Sequence, residues 1–248
     1  MLQALFPDPI EEQKNLDPGY SGHASDVWLV RTATEEAVVR TSRLIDEPDN
    51  EFWRGLKGLF GIDPRRVGDL EPVNGYLCAL SSIPVPRVLR VDEVGGRVHA
   101  VVEKMKGSTL PSFGELAPEA LAGLGEALAR IHTRRFDWCG APSGALQYPV
   151  AEFHTRLIGT IWSVVDRYYR EQPEIEALLE PICLAAQALP APEAGALVMP
   201  DLDPSQFLWN GERITALVDT EAYVVGPREL DLIALEYVLD APQAQAVA

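Results

Sequence analysis

Apolar and polar positions alternate over short runs in the first hundred residues and recur at helical spacing afterwards. VWLVRT (27–32) and EEAVVRTS (35–42) read as strands, and the Gly/Ser/Asp-rich LDPGYSGHASD before them reads as a tight connection. DEPDN and GIDP mark turns around a short helical EFWRGLKGLF. In EPVNGYLCALSS, Val73, Tyr76, Leu77 and Leu80 fall on one helical face. IPVPRVLRVDEVGGRVHAVVEKMKG predicts two strands joined at Gly95-Gly96. After Gly107 the period changes. APEALAGLGEALARIHTR places Leu121, Leu124, Leu128 and Ile131 on one stripe, and a loop is expected over 136–148. Helical stretches follow over 150–170 and 173–188, then the Pro/Ala-rich linker LPAPEAGA. PRELDLIALEYVL predicts a last helix, and DAPQAQAVA a frayed tail. Strands first and helices second imply an α+β chain in two lobes, with boundaries expected at 1–104 and 105–248.

Composition changes this picture little. Apolar content of 47% and charged content of 23% are ordinary for a folded protein of 248 residues. The formal charge of −16 argues against a nucleic-acid partner and is compatible with cationic small molecules. Cys78, Cys139 and Cys183 have no metal-ligand spacing and suit reduced thiols. The N-terminus lacks the basic start of a signal peptide, and no apolar run reaches membrane-spanning length. A soluble cytoplasmic protein without membrane contact is therefore expected.

The chemistry concentrates in LVMPDLDPSQFLWNGERITALVDTEAY (197–223). A strand running into D-x-D-x-S resembles the nucleophile motif of haloacid-dehalogenase phosphatases. Only 45 residues follow Asp203, however, and no alternating βαβ pattern precedes it. The alternative is phosphoryl transfer, which needs an acceptor-orienting carboxylate, Mg²⁺ ligands and a cation on the phosphates. Asp201 suits the first role. Gln206, five residues on, stands where the kinase loop D-x-x-x-x-N, which this stretch resembles, supplies a metal ligand. Asn210-Gly211 predicts a hairpin with a type I′ turn that brings Asp219 back to the loop as a second ligand.

These segments, in this order, resemble the aminoglycoside phosphotransferase and choline kinase family, with its protein-kinase-like fold: a small antiparallel-sheet lobe and a larger, mainly helical one. MPDLDPSQ stands where the family has H-G-D-L-H-P-G-N, and VDTE where it has IDWE. IPVPRVL, AVVEKMKGSTL, LGEALARIH and GPRELDLIAL are similar to further family segments. The resemblance covers about residues 16 to 240. It implies ATP or GTP and Mg²⁺ as cofactors, and a small hydroxyl-bearing substrate of aminoglycoside or amino-alcohol type. It also implies that Gly22 and Ser25 belong to the nucleotide-covering loop. Arg40 would bind phosphate and Glu71 would pair with it, while the backbone at Glu103 and Met105 would meet the adenine edge. His132 matches a structural histidine. Trp162, Tyr168 and Tyr169 could cage a cation or pack in the core.

Four departures keep a second class open, a degenerate member that binds nucleotide or ligand without turnover. Met199-Pro200 replaces His-Gly, and proline pushes Met199 towards extended backbone. Gln206 is one methylene longer than Asn, which matters because Mg²⁺ demands near-ideal geometry. Asp203 adds a carboxylate which, with Glu221, could hold a cationic substrate. Arg40 stands where a lysine is common, and the two are not equivalent phosphate ligands.

Overall fold

The computed structural model describes residues 2–16 and 23–247. Five antiparallel strands form the small lobe: β1 (Ile10–Asn15), β2 (Ser25–Thr32), β3 (Glu36–Ser42), β4 (Val88–Val94) and β5 (Arg97–Glu103), in spatial order β1-β2-β3-β5-β4. Alternation along β3 and β5 sends Val39 and Val101 to one face, where Leu2, Leu5 and Phe6 cover them. Ala100 and Val102 face the other way, against Val67 and Leu70. Strand β1, IEEQKN, has almost no apolar side chain and lies exposed on the sheet edge, so its sequence carries no alternation signal.

Between β3 and β4 come α1 (Glu51–Phe60) and α2 (Leu70–Leu80). Asn50 caps α1 by accepting a bond from the Trp53 amide, and Gly61 ends it in the left-handed region at φ 73°. A Cβ at Gly61 would lie 2.4 Å from Leu146 Cβ, so glycine is required there on two counts. Leu56, Leu59 and Phe60 join the core of the large lobe, although α1 sits within the small lobe's stretch of sequence.

The large lobe follows the hinge after β5. Its helices are α3 (Pro118–Ile131), α4 (Phe153–Tyr168), α5 (Pro173–Ala188), α6 (Glu229–Val238) and α7 (Ala241–Val247). Leu121, Leu124, Leu128 and Ile131 are all buried, as their spacing predicts. Two small sheets complete the lobe. One contains β6 (Ser108–Thr109), β10 (Phe207–Trp209) and β11 (Ile214–Leu217). The other contains β7 (Trp138–Gly140), β8 (Gln147–Pro149), β9 (Ala196–Val198) and β12 (Val224–Gly226). Gly107 takes φ 129°, and a Cβ there would meet Thr215 Oγ1 at 2.5 Å, so the hinge lies directly on the β10–β11 hairpin.

Three local expectations are corrected. The stretch 136–148 is not all loop, since β7 and the start of β8 fall within it. The Asn210-Gly211 hairpin forms, but Trp209 pairs with Ile214 across a four-residue connection. A type I′ turn needs φ > 0 at Asn210; only Asp219 among the described non-glycine residues has it. The Asn210 side chain instead accepts bonds from the amides of Glu212 and Arg213. The C-terminal stretch is no frayed tail either. Asp240 and Gln243 exchange side-chain-to-backbone bonds at 2.9 and 3.0 Å, a capping box that starts α7. Gly125 of α3 then lets Val247 come so close that any Cβ would clash.

Candidate active site

A cleft of about 810 Å³ lies between the lobes. Val27, Leu29 and Val38 line it from the small-lobe sheet, Leu208 from β10, and Glu103 and Met105 from the hinge. This leaves an apolar slot beside the hinge. The cleft also meets Arg40, Asp201, Gln206, Asp219 and Glu221.

The Asp201 loop is braced from below. Buried β9 runs into Met199, itself 1% exposed, and Met199 N–H donates to Asp231 Oδ1 at 2.6 Å. Asp231 is completely buried, and its other oxygen lies 2.8 Å from His132 Nε2. Met199 thus ties the loop, through its backbone amide, to a carboxylate that His132 also holds. His132 does not line the cleft. Leu202 plugs the loop into the core.

Beyond Leu202, Asp203 Oδ1 accepts from Ser205 N at 2.8 Å, and Gln206 Oε1 accepts from Asp203 N at 3.1 Å. Gln206 Nε2 donates to the Asp201 carbonyl. The extra methylene of Gln206 therefore serves a capping box that closes the loop on itself. Its amide oxygen already holds one bond, which differs from a ligand standing free for metal. Asp203 does not line the cleft; it caps the turn.

The hairpin does bring Asp219 to this loop: Val218 N–H donates to the Gln206 carbonyl at 2.7 Å. Asp219 itself adopts φ 57°, ψ 48°, a left-handed conformation uncommon outside glycine and concentrated at functional sites. Its Oδ1 lies 2.5 Å from Arg40 Nη2, and Glu221 Oε2 lies 2.9 Å from the same nitrogen. Ser25 Oγ donates towards both Glu221 oxygens at 3.3 Å. Burial opposes the charge on Arg40, but the carboxylates of Glu221 and Asp219 outweigh it and keep the guanidinium protonated. Burial pushes Glu221 up, against the pull of Arg40.

Solvent reaches Asp201, yet partial desolvation by the cleft walls, with the charges of Asp203 and Asp219, raises its carboxyl from the usual 3.8 to about 6. The unfolded chain would lose this proton first, so the contribution of Asp201 to stability falls as pH rises between those values. In the protein free of metal and nucleotide, carbon-detected NMR should find the Asp201 midpoint near 6. Asp203→Asn, which keeps the cap, should lower that midpoint. An unchanged midpoint would take Asp203 out of the shift and leave it to burial and Asp219.

Of the residues singled out from sequence, Ser25, Arg40, Glu103, Met105, Asp201, Gln206, Asp219 and Glu221 all line the cleft. Gly22 lies outside the described residues. Glu71 does not meet Arg40: it stands exposed in the first turn of α2, and Asn74, one turn on, faces the cleft instead. Glu221, expected to face substrate, is engaged by Arg40 and Ser25. Tyr168 and Tyr169 do not line the cleft; their hydroxyls donate to Asp49 and Glu51, and the Arg167 guanidinium lies 6.0 Å from the Tyr168 ring centroid. Trp162 is partly exposed and outside the cleft. Sequence reasoning missed Asp231, Asn74 and Thr220. Only Asp231 left a signal, as the aspartate of the closing helix segment.

Among the described residues no cluster of three His, Cys, Asp or Glu side chains is gathered for a metal ion. No helix among them is long and apolar enough to cross a membrane.

The lobes, the hinge cleft and the two aspartate loops define a kinase-like phosphotransferase fold. The sequence model of the phosphotransferase enzyme family (APH) matches residues 18–247, and the chain belongs to that family. No curated protein sequence matches it significantly. Among solved structures it is similar to the macrolide 2′-phosphotransferase MphH from Brachybacterium faecium (16% identity, TM-score 0.65, covering 99% of this chain and 79% of that one). It is also similar to a thermostable mutant of the aminoglycoside phosphotransferase APH(4)-Ia, solved with AMP-PNP and hygromycin B (18%, 0.65, 99% and 78%). A third is a putative fructosamine-3-kinase from Haemophilus somnus (16%, 0.63, 97% and 76%).

Proposed function

We propose that this protein transfers a phosphoryl group from ATP or GTP to a hydroxyl of a small, cationic molecule, with Mg²⁺. The observation that carries this reading is the meeting of Asp201, Asp219 and Arg40 in one cleft. Arg40 Nε is also buried there with no hydrogen-bond partner among the described residues. A buried donor without an acceptor is costly, and a phosphate oxygen would satisfy it once the Arg40 side chain turned Nε towards the cleft. The apolar slot beside Glu103 and Met105 suits a flat base, with hinge backbone at its edge. Asp219, half exposed at the cleft, would hold Mg²⁺. Gln206 could join it by sharing the oxygen that now serves Asp203.

In this reading Asp201 orients the acceptor hydroxyl and takes its proton as the oxygen attacks the terminal phosphorus. The bond to the bridging oxygen breaks and the nucleoside diphosphate leaves. The metal ion, when bound, neutralises charge on the phosphates. A cationic acceptor is favoured by the −16 charge and by the exposed carboxylate of Asp201 at the cleft.

The test has two parts. Mg·ATP or Mg·GTP at a hundred times its dissociation constant should stabilise the fold by about 2.7 kcal/mol, and Asp219→Ala by much less. Turnover is then sought against amino alcohols, aminoglycosides and sugars. Equal stabilisation of both proteins would remove Asp219 from metal binding. Binding without turnover on any acceptor would favour the degenerate class, for which the occupied Gln206 amide is the observation in hand. Gln206→Asn would then show whether metal geometry is the defect.

A further inference from the structure

We propose that Glu221 is the residue that positions Arg40 in the cleft, and that helix α2 acts on this pair through Asn74 and Thr220 rather than through a glutamate of its own. The inference rests on the phosphotransferase reading only in taking Arg40 as the phosphate-binding cation.

Arg40 projects from β3, and Glu221 lies 181 positions later, in the short turn after Asp219. Their 2.9 Å ion pair is largely shielded from solvent, with side-chain exposures of 11% and 26%. Ser25 at the start of β2 adds its hydroxyl to the Glu221 carboxylate. One carboxylate of the large lobe thus grips two neighbouring strands of the small lobe. Asp219 also touches Arg40, but it is the candidate metal ligand, so its hold on the guanidinium competes with that duty. Glu221 has no such conflict; it holds Nη2 and leaves the buried Nε unpartnered among the described residues.

Helix α2 reaches the same turn by another route. Asn74 is 1% exposed; its Nδ2 donates to the Pro86 carbonyl at 2.8 Å, and its Oδ1 accepts from Thr220 Oγ1. Thr220 adjoins Glu221, so a displacement of α2 moves the carboxylate that holds Arg40. The exposed Glu71 has no part in this chain.

The test compares Glu221→Gln, Glu71→Gln and Ser25→Ala by two readouts: the Arg40 Nε–Hε NMR resonance of the ligand-free protein, and calorimetric Mg·ATP affinity. Glu221→Gln should shift the resonance and weaken Mg·ATP by roughly tenfold to a hundredfold, the range for losing one charged hydrogen bond. Glu71→Gln should change neither. Ser25→Ala should move both in the same direction but less, and it serves if Glu221→Gln folds poorly. A merely structural Glu221 would lower the melting temperature and leave both readouts in place, overturning the proposal. So would a Glu71→Gln effect as large as that of Glu221→Gln. If the wild type binds no nucleotide, the phosphotransferase reading fails, and the resonance alone decides the positioning role.

Discussion

Asp201→Asn is expected to lower turnover by about 10²–10⁴-fold, the usual worth of a positioned general base, while nucleotide affinity stays close to wild type. The two effects separate because the groups available to a nucleotide are elsewhere: Arg40 on β3, the apolar slot, and the hinge at Glu103 and Met105. The loop should also survive the change. Gln206 bonds the Asp201 backbone carbonyl rather than its carboxylate, and the Asp231 bond reaches Met199, two residues earlier. Asparagine keeps the shape and removes only the acceptor of the proton. Steady-state kinetics on whichever acceptor the panel identifies, with calorimetric nucleotide affinity alongside, reads the separation. Turnover equal to wild type would take Asp201 out of the chemistry.

Asp231→Ala should cause the largest loss of stability of any single change near the site. Its carboxylate is fully buried and accepts from Met199 N–H while also bonding His132. Truncation leaves the buried Met199 amide unsatisfied and removes the bond to His132, which costs about 2–4 kcal/mol. For a chain of this size that is a fall of roughly 5–15 °C in melting temperature. Asp231→Asn should cost less, since its amide oxygen can still accept from Met199. His132→Ala should also cost less, because the Met199 bond remains. Urea unfolding of the three variants gives the order directly. If Asp231→Ala is no less stable than His132→Ala, the Met199 bond contributes nothing measurable. Turnover should fall further than nucleotide affinity in Asp231→Ala, because the freed amide lies in the loop that presents Asp201.

Elements whose information is local were legible without the structure. Alternation in 27–32 and 35–42 announced β2 and β3, the Leu121–Leu124–Leu128–Ile131 stripe announced α3, and the GG pair announced the β4–β5 turn. The order of the aspartate segments was enough to bring Asp201 and Asp219 to one cleft, because one hairpin joins them. What stayed hidden has a common cause. Strand β1 offers a polar edge whose pairing depends on β2, not on its own pattern. The C-terminal helix reads as a weak tail until α3 supplies the glycine groove it lies in. Most telling is Arg40. From sequence its partner was placed on the adjacent helix, at Glu71; packing instead turns Glu71 to solvent and brings Glu221 from the other lobe. Periodicity and turn chemistry act over a few residues and can be read along the chain. The partner of a buried charge is whichever opposite charge the assembled core holds within reach, and that is decided only by the tertiary structure.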